Sequence, residues 1–195
     1  MDIKKAIRLA IFASGNGSNA ENIANYFKDI SEVEISLILT NKADAYVLER
    51  ANNLNIKSFV FTFSELYKTN KVLQKLKDDS IDFVVLAGFM LKIPSNIISA
   101  FPNKIVNIHP ALLPKYGGKG MFGNHVHEAV KAAGEKISGI TIHFVNDNYD
   151  EGDIIFQAKV DILPCESADE IANKIHKLEY EYFPKTINLI INKLF

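Results

Sequence analysis

The sequence predicts a single-domain α/β protein built on a doubly wound, mostly parallel, Rossmann-like sheet with helices on both faces. Short apolar runs rich in β-branched residues alternate with amphipathic segments, which is typical of parallel strands covered by helices. A glycine-rich turn follows the first run directly. The chain has 195 residues, of which 48% are hydrophobic, so it can bury one substantial core.

The elements follow one another without repeats, low-complexity tracts or linkers. The apolar runs predict strands at residues 7–13, 33–39, 58–61, 83–87 and 105–108. A glycine-rich loop, a helix near 125–133 and two further strands at 139–145 and 154–162 come next. Ser167 and Glu170 have the spacing of a capping box and predict the start of a final helix. Ligands of such a sheet bind outside the carboxyl ends of its strands.

Charge and cysteine content favour a cytoplasmic protein without a general affinity for nucleic acid or membranes. The 22 lysines and arginines nearly balance the 23 aspartates and glutamates, so no global field attracts nucleic acid or an anionic membrane. The single cysteine, Cys165, cannot form an intramolecular disulfide, and the N-terminal apolar run is too short for a signal peptide. No apolar run approaches the roughly 20 residues that cross a bilayer.

The turn after the first strand has the composition of an anion-binding loop. Its residues are Gly15, Asn16, Gly17, Ser18 and Asn19. Glycines allow the backbone to approach a ligand closely, and the free amides at a helix start favour a phosphate. The same glycine spacing fits a dinucleotide fingerprint, but that motif requires an acidic residue at the end of the second strand, where Asn41 stands with Asp44 nearby. We therefore predict phosphate and not NAD, although such glycines can also serve only to tighten a turn.

Asn107 and His109 come at the end of the fifth predicted strand, just before Pro110. The two-residue period of a strand puts both side chains on one face. An amide donor beside an imidazole suits acyl transfer, because both can hold the oxygen that becomes negative when an amine attacks a carbonyl. The alternative is a buried polar pair that joins the strand to the following loop.

A second polar cluster follows the sixth strand and contains four acidic residues. They are Asp147, Asp150, Glu151 and Asp153. A carboxylate beside His109 would raise the pKa of the imidazole and accept a proton from the amine, but spacing leaves the choice among the four open. His125 and His127, with His143 and His109, invite a metal site. No cysteine is nearby, however, and the spacing of His125 and His127 does not put both on one ligand-facing side, so no metal is predicted.

Five stretches together resemble one known family over nearly the whole chain. They are SGNGSN, AGFM at 87–90, NIHPALLPKYGG from Asn107, HFVNDNYDEGDIIFQ from His143, and HKLEYEYFP. The chain resembles the phosphoribosylglycinamide formyltransferases, folate-dependent enzymes of purine synthesis. The resemblance implies their fold, 10-formyltetrahydrofolate as co-substrate and glycinamide ribonucleotide as acceptor. We expect no metal and a monomer or homodimer.

The resemblance also implies roles for individual residues. It makes Asn107, His109 and Asp150 catalytic, and so selects one acid from the loop. Substrate-binding residues are then Gly15, Asn16, Gly17, Ser18, Asn19 and Glu179, and folate-binding residues are Phe89, Met90, Leu91, Ile93, Val145, Asn146 and Asp147. Residues 1–105 become the phosphate-binding half and 106–195 the catalytic and folate-binding half.

Two departures from the family pattern stand out. Leu91-Lys92 replaces a frequent arginine, and the segment GGKGMFGN, which contains Lys119, is longer than usual. Neither is expected to touch the catalytic positions. The remaining alternatives are a formyltetrahydrofolate hydrolase with water as nucleophile and a non-catalytic nucleotide-binding module.

Overall fold

The computed structural model describes residues 5–195 and contains one seven-stranded sheet with helices between its strands. The strands are β1 (Ile7–Phe12), β2 (Val33–Thr40), β3 (Ser58–Val60), β4 (Phe83–Leu86), β5 (Ile105–His109), β6 (Ile137–Phe144) and β7 (Ile154–Asp161). Their order is β3-β2-β1-β4-β5-β6-β7. All seven predicted strands and the mostly parallel α/β class are confirmed. Residues 1–4, part of the N-terminal segment considered for a signal peptide, lie outside the described residues.

Seven helices connect or follow these strands in the described part of the chain. They are α1 (Ser18–Phe27), α2 (Val47–Asn53), α3 (Phe63–Tyr67), α4 (Lys71–Asp78), α5 (Ser95–Ala100), α6 (Asn124–Ala132) and α7 (Ala168–Leu194). The predicted cap of the last helix is confirmed, since Glu170 N–H donates to Ser167 Oγ at 3.2 Å and Ser167 N–H donates to Glu170 Oε2 at 2.7 Å. Among residues 5–195, none of the helices is both long and apolar enough to cross a bilayer.

One compact unit contains the described residues 5–105 and 191–195. In it β1 pairs in parallel with β2 and β4, and β2 pairs in parallel with β3. Consecutive residues of β1 and β4 are buried, so both faces of these strands are covered. Because β2 and β4 lie on opposite sides of β1, the strand order reverses between β1 and β4. Ligands of open α/β sheets bind at such a point, beyond the carboxyl ends of the strands.

The second compact unit contains residues 106–190. Here β6 pairs antiparallel with both β5 and β7, and Asn107 lies opposite His143 in the register. A register irregularity between Ile142 and His143 marks the end of β6. The loop that follows leads to the acidic cluster. The single-domain assignment stays a prediction.

Candidate active site

Asn107 and His109 on β5 approach the same carboxylate, that of Asp150. Asn107 Nδ2 lies 3.5 Å from Asp150 Oδ1, and His109 Nδ1 lies 3.6 Å from Asp150 Oδ2. Only 4% of the His109 side chain and 12% of the Asp150 side chain are exposed. The strand alternation that puts both β5 side chains on one face is thus borne out, and an amide, an imidazole and a carboxylate meet in a largely buried site.

The hydrogen bonds of His109 determine where its proton lies. Its Nε2 is 2.7 Å from the carbonyl oxygen of Tyr116, and a carbonyl only accepts, so Nε2 carries a hydrogen. Burial lowers the pKa of His109 below its ordinary value of 6.5, although the charge of Asp150 and the Tyr116 carbonyl act in the opposite direction. The carboxylate thus raises this pKa as expected, but the larger effect of desolvation makes the net shift a lowering.

Asp150 is held ionised by donors around it. Burial alone would raise the pKa of this carboxyl, but the hydrogen bond with His143, the charge of His109 and the backbone N–H of Gly118 together lower it. The Gly118 N–H donates to Oδ2 at 2.9 Å. The backbone of Asp150 has a φ of 55°, in the left-handed region that few non-glycine residues occupy. Strain of this kind persists where surrounding contacts determine the conformation.

The loop at 145–153 selects Asp150 from the four acids. Asn148 N–H donates to Asn146 Oδ1 at 2.9 Å, and Asn148 Nδ2 donates to Glu151 Oε2 at 2.9 Å, so Glu151 is engaged within the loop. Gly152 closes it: a Cβ there would lie 1.7 Å from the carbonyl oxygen of Phe144. The close approach of two backbones therefore requires glycine at this position. Asp147 and Asp153 are exposed.

His143 also belongs to this cluster, although the sequence predicted no role for it beyond the rejected metal site. Its Nδ1 is 2.8 Å from the Phe144 carbonyl oxygen, so Nδ1 carries a hydrogen. Its Nε2 is 3.1 Å from Asn107 Nδ2 and 3.6 Å from Asp150 Oδ1. Nε2 thus faces both groups: it accepts from the Asn107 carboxamide when it carries no hydrogen and donates to the Asp150 carboxylate when it does. The opposition of residues 107 and 143 across two antiparallel strands is the signal that would have found it.

The longer segment after Tyr116 does touch the predicted catalytic residues. The Tyr116 carbonyl accepts from His109, and the Gly118 N–H donates to Asp150. The expectation that this segment stays clear of them is therefore wrong. Lys119 is exposed.

The predicted anion loop lies between β1 and α1 in the other unit. Gly17 is the N-cap of α1, has a φ of 74°, and offers no side chain to the free amides of the helix start. Asn16 is exposed, Gly15 and Ser18 are half-buried, and Asn19 is buried. Among residues 5–195 no hydrogen bond satisfies the N–H groups of Asn16 and Gly17. The loop thus presents consecutive backbone donors, as an anion site requires.

Ser14 joins three strand ends where the strand order reverses. Its N–H donates to the Gly88 carbonyl at 3.0 Å, and its Oγ accepts from Met90 N–H at 3.0 Å and donates to Asn41 Oδ1 at 2.7 Å. Dinucleotide-binding folds have their ribose-binding acid at the position of Asn41. In this chain Asn41 instead accepts a hydrogen bond from Ser14.

The residues predicted to line a folate pocket differ in exposure. Met90 is 42% exposed and Leu91 is half-buried, whereas Ile93 is 1% exposed. Phe89 packs edge-on against Phe12 at 5.2 Å between ring centroids. In the unit of residues 106–190, Val145 is half-buried and Asn146 is exposed. Their role in folate binding stays a prediction.

Glu179 is buried on α7 and lies 2.8 Å from Nδ1 of His176 through its Oε2. This hydrogen bond raises the pKa of His176 above its ordinary value. His127 on α6 is buried, whereas His125 is exposed, so the two imidazoles do not share a face. No group of three or more His, Cys, Asp or Glu that could hold a metal occurs within residues 5–195.

Known proteins resemble this chain over almost its entire length. The chloroplastic phosphoribosylglycinamide formyltransferase of Arabidopsis thaliana is 38% identical over 189 residues, which are 94% of this chain and 65% of that protein. The phosphoribosylglycinamide formyltransferase of Bacillus subtilis is 34% identical over 190 residues, 94% of both chains. The crystal structure of phosphoribosylglycinamide formyltransferase from Anaplasma phagocytophilum is 35% identical, has a TM-score of 0.88, and is matched over 97% of this chain and 89% of that one.

The chain thus spans just under two thirds of the plant relative and nearly all of the bacillar one. A sequence model of one family, described as formyl transferase, matches residues 7–187. The chain belongs to the formyl transferase family.

Proposed function

We propose that this chain transfers the formyl group of 10-formyltetrahydrofolate to the amine of glycinamide ribonucleotide. The observation that carries the proposal is the Asp150 carboxylate, which lies within 3.6 Å of both Asn107 and His109 in a largely buried site. The acceptor is supported by relatives that are named for phosphoribosylglycinamide and resemble this chain nearly end to end. A reduced folate is the formyl donor implied by the family.

The first step forms a bond between the neutral amine nitrogen and the formyl carbon, and the formyl oxygen becomes an oxyanion. Asn107 Nδ2–H and His109 Nε2–H are the donors that hold this oxygen. In the unliganded chain the Tyr116 carbonyl accepts the Nε2–H at 2.7 Å. The oxyanion therefore takes the place of that carbonyl as the acceptor, and its negative charge raises the pKa of His109 toward the protonated form.

The second step moves a proton and breaks the bond to the donor. The attacking nitrogen carries an extra proton after bond formation, and the ionised Asp150 accepts it, directly or through a water. The tetrahedral intermediate then collapses, the bond between the carbon and the folate nitrogen breaks, and that nitrogen takes the proton. The products are the formylated amine and tetrahydrofolate. Asp150 is ionised before the amine arrives, and its lowered pKa means that it holds the proton weakly and releases it readily to the folate nitrogen.

The remaining predicted residues bind the substrates. The loop of Gly15, Asn16, Gly17, Ser18 and Asn19 holds the phosphate of the ribonucleotide, and Glu179 contacts its glycinamide end. Phe89, Met90, Leu91 and Ile93, together with Val145, Asn146 and Asp147, line the folate pocket. The exposed amides of the loop support the first assignment; the others rest on resemblance. No nucleic acid, metal or NAD takes part, and the protein works in the cytoplasm as a monomer or homodimer.

The decisive experiment mixes the purified chain with 10-formyltetrahydrofolate and glycinamide ribonucleotide. Loss of the formyl-folate absorbance, together with the mass of the formylated ribonucleotide, measures transfer. A parallel reaction without any amine measures formate. Transfer without formate release supports the proposal. Formate release in the absence of an amine indicates a hydrolase, and neither product from a folded chain contradicts the proposed function.

A further inference from the structure

Arg50 on α2 contacts the glycine loop with most of its guanidinium. Its Nε donates to the Asn16 carbonyl oxygen at 2.9 Å, and its Nη2 donates to Asn16 Oδ1 at 2.8 Å. Its Nη1 pairs with Glu21 on α1, and the guanidinium carbon lies 5.0 Å from the centre of the Tyr46 ring. Only 20% of the Arg50 side chain is exposed. A planar guanidinium held by several partners in this way has little freedom to move.

A second contact from the same helix holds the peptide group between Gly15 and Asn16. Val47 N–H donates to the Gly15 carbonyl oxygen at 3.1 Å. The Val47 side chain also occupies the space beside Gly17, where a Cβ would lie 2.3 Å from Val47 Cγ2. Two consecutive carbonyl groups of the loop, those of Gly15 and Asn16, are therefore held by α2.

The direction of these carbonyls determines the direction of the loop's donors. In a trans peptide the C=O and N–H bonds point to opposite sides of the chain. With the carbonyls of Gly15 and Asn16 directed to α2, the N–H groups of Asn16 and Gly17 point away from it. Because Arg50 also occupies Asn16 Oδ1, the Nδ2 donors of that carboxamide point away from the guanidinium. Three neighbouring donor groups thus point away from α2 and its guanidinium, which leaves them available to an anion.

We propose that Arg50 is a positioning residue that orients the Asn16–Gly17 peptide for binding the phosphate of the ribonucleotide. Arg50 acts through Asn16 and does not itself touch the phosphate, since its nitrogens are engaged by Asn16 and Glu21. The inference rests on the proposed function for the identity of the ligand. It adds a residue that was not among the predicted substrate-binding positions.

The test compares Arg50→Met and Arg50→Lys with wild type in the formyl-transfer assay. Losing two hydrogen bonds from a charged donor should raise the KM for glycinamide ribonucleotide by roughly tenfold or more. The kcat and the KM for the folate should stay near their wild-type values, which a general loss of structure would not allow. A lysine ammonium cannot reproduce the two parallel hydrogen bonds of the guanidinium to Asn16, so Arg50→Lys should also show a raised KM for glycinamide ribonucleotide. A wild-type KM in either variant would overturn the proposal.

The sequence offers a matched control in its other arginine, Arg8 on β1. Its Nε donates to Ser36 Oγ at 3.1 Å, away from the loop. Arg8→Met should keep the wild-type KM for glycinamide ribonucleotide; an equal rise in that KM would show that the effect of Arg50 is not specific to the loop. Melting midpoints confirm that each variant is folded.

A second measurement separates this inference from the proposed function. Inorganic phosphate is titrated into 15N-labelled protein while the amide signals of Asn16 and Gly17 are followed. Wild type should show saturable shifts, and Arg50→Met should need roughly tenfold more phosphate. If wild type transfers no formyl group, the proposed function fails and this titration alone decides the role of Arg50. Equal binding by both proteins, or no binding by wild type, would overturn it.

Discussion

Asp150 is the residue on which the geometry of the site depends. Its two carboxylate oxygens face different partners: Oδ1 faces Asn107 and His143, and Oδ2 faces His109 and the Gly118 N–H. The carboxylate therefore contacts both residues of β5, and it approaches His109 at Nδ1, the ring nitrogen opposite the proposed oxyanion donor Nε2. The predictions at this scale concern Asp150 itself, its two neighbours on β5, and His176 on α7.

Asn107→Ala removes one of the two proposed oxyanion donors. The kcat should fall on the order of a hundredfold or more, because the donor stabilises the charge that develops in the transition state. Asn52→Ala, at an exposed position of α2, is the matched control and should keep wild-type kcat. Steady-state assays with both substrates saturating measure the effect. Near-normal turnover in Asn107→Ala would remove this residue from the mechanism.

Asp150→Asn keeps the shape of the side chain but removes the proton acceptor. Turnover should fall by roughly a hundredfold or more, the usual contribution of a general base. Asp153→Asn changes an exposed acid of the same loop and should leave turnover unchanged. If both variants keep wild-type kcat, another group accepts the proton.

The lowered pKa of His109 predicts how stability changes with pH. As pH falls, the unfolded chain binds a proton at His109 before the folded chain does. The contribution of neutral His109 to the free energy of unfolding is therefore present above about pH 6.5 and is lost below it. His109→Gln should therefore reduce the fall in unfolding free energy between about pH 7.5 and pH 5.5, measured by urea denaturation.

His176 should change the pH dependence of stability in the direction opposite to His109. Its pKa is raised, so its contribution is present below about pH 6.5 and is lost as pH rises through the raised value. Removing it in His176→Gln should make stability rise more steeply with pH. An unchanged pH dependence in His109→Gln would contradict the lowered pKa.

At the scale of elements, short backbone contacts position Asp150, the proposed proton acceptor. Phe144 N–H donates to the Asp153 carbonyl oxygen at 2.9 Å and closes the loop that carries Asp150. Gly152 lies against the Phe144 carbonyl at the same closure. The end of β6 and the start of β7 thus determine where the carboxylate lies.

Gly152→Ala should open this loop, because its Cβ would clash with the backbone of Phe144 and neither group is flexible. A displacement of about 1 Å at Asp150 should lower turnover on the order of a hundredfold. Gly134→Ala, where the φ is 65° and space is open, is a control that strains the backbone away from the loop. It should lower the melting midpoint without a comparable loss of kcat. Equal turnover in the two variants would show that loop closure does not position Asp150.

At the scale of the whole molecule, the family and the seven-stranded sheet agree with the class predicted from the apolar runs. The proposed chemistry uses only amide, imidazole and carboxylate groups. Prolonged dialysis against EDTA should therefore leave kcat within about twofold of the untreated enzyme. Activity lost on dialysis and restored by one added divalent metal would show that a metal takes part.

Local patterns explain why much of the fold could be predicted. Strand and helix positions follow from periodicities of two and 3.6 residues, which are properties of neighbouring residues. The shared face of Asn107 and His109 is such a property, and so is the capping box at Ser167. The start of β6 at Ile137, two residues before the predicted 139, shows that element ends depend on pairing, here with Asp161 of β7.

The sequence by itself determined the α/β class, the glycine loop after the first strand and the polar pair at the end of β5, because each depends on residues close together in the chain. Asp150 was selected by family resemblance and not by spacing, and the tertiary structure places its carboxylate beside His109. Only the tertiary structure decided that His143 faces Asn107 and that Arg50 holds Asn16. These contacts join residues 34 to 43 positions apart. Spacing along the chain does not encode such contacts, since they form only when distant segments pack together.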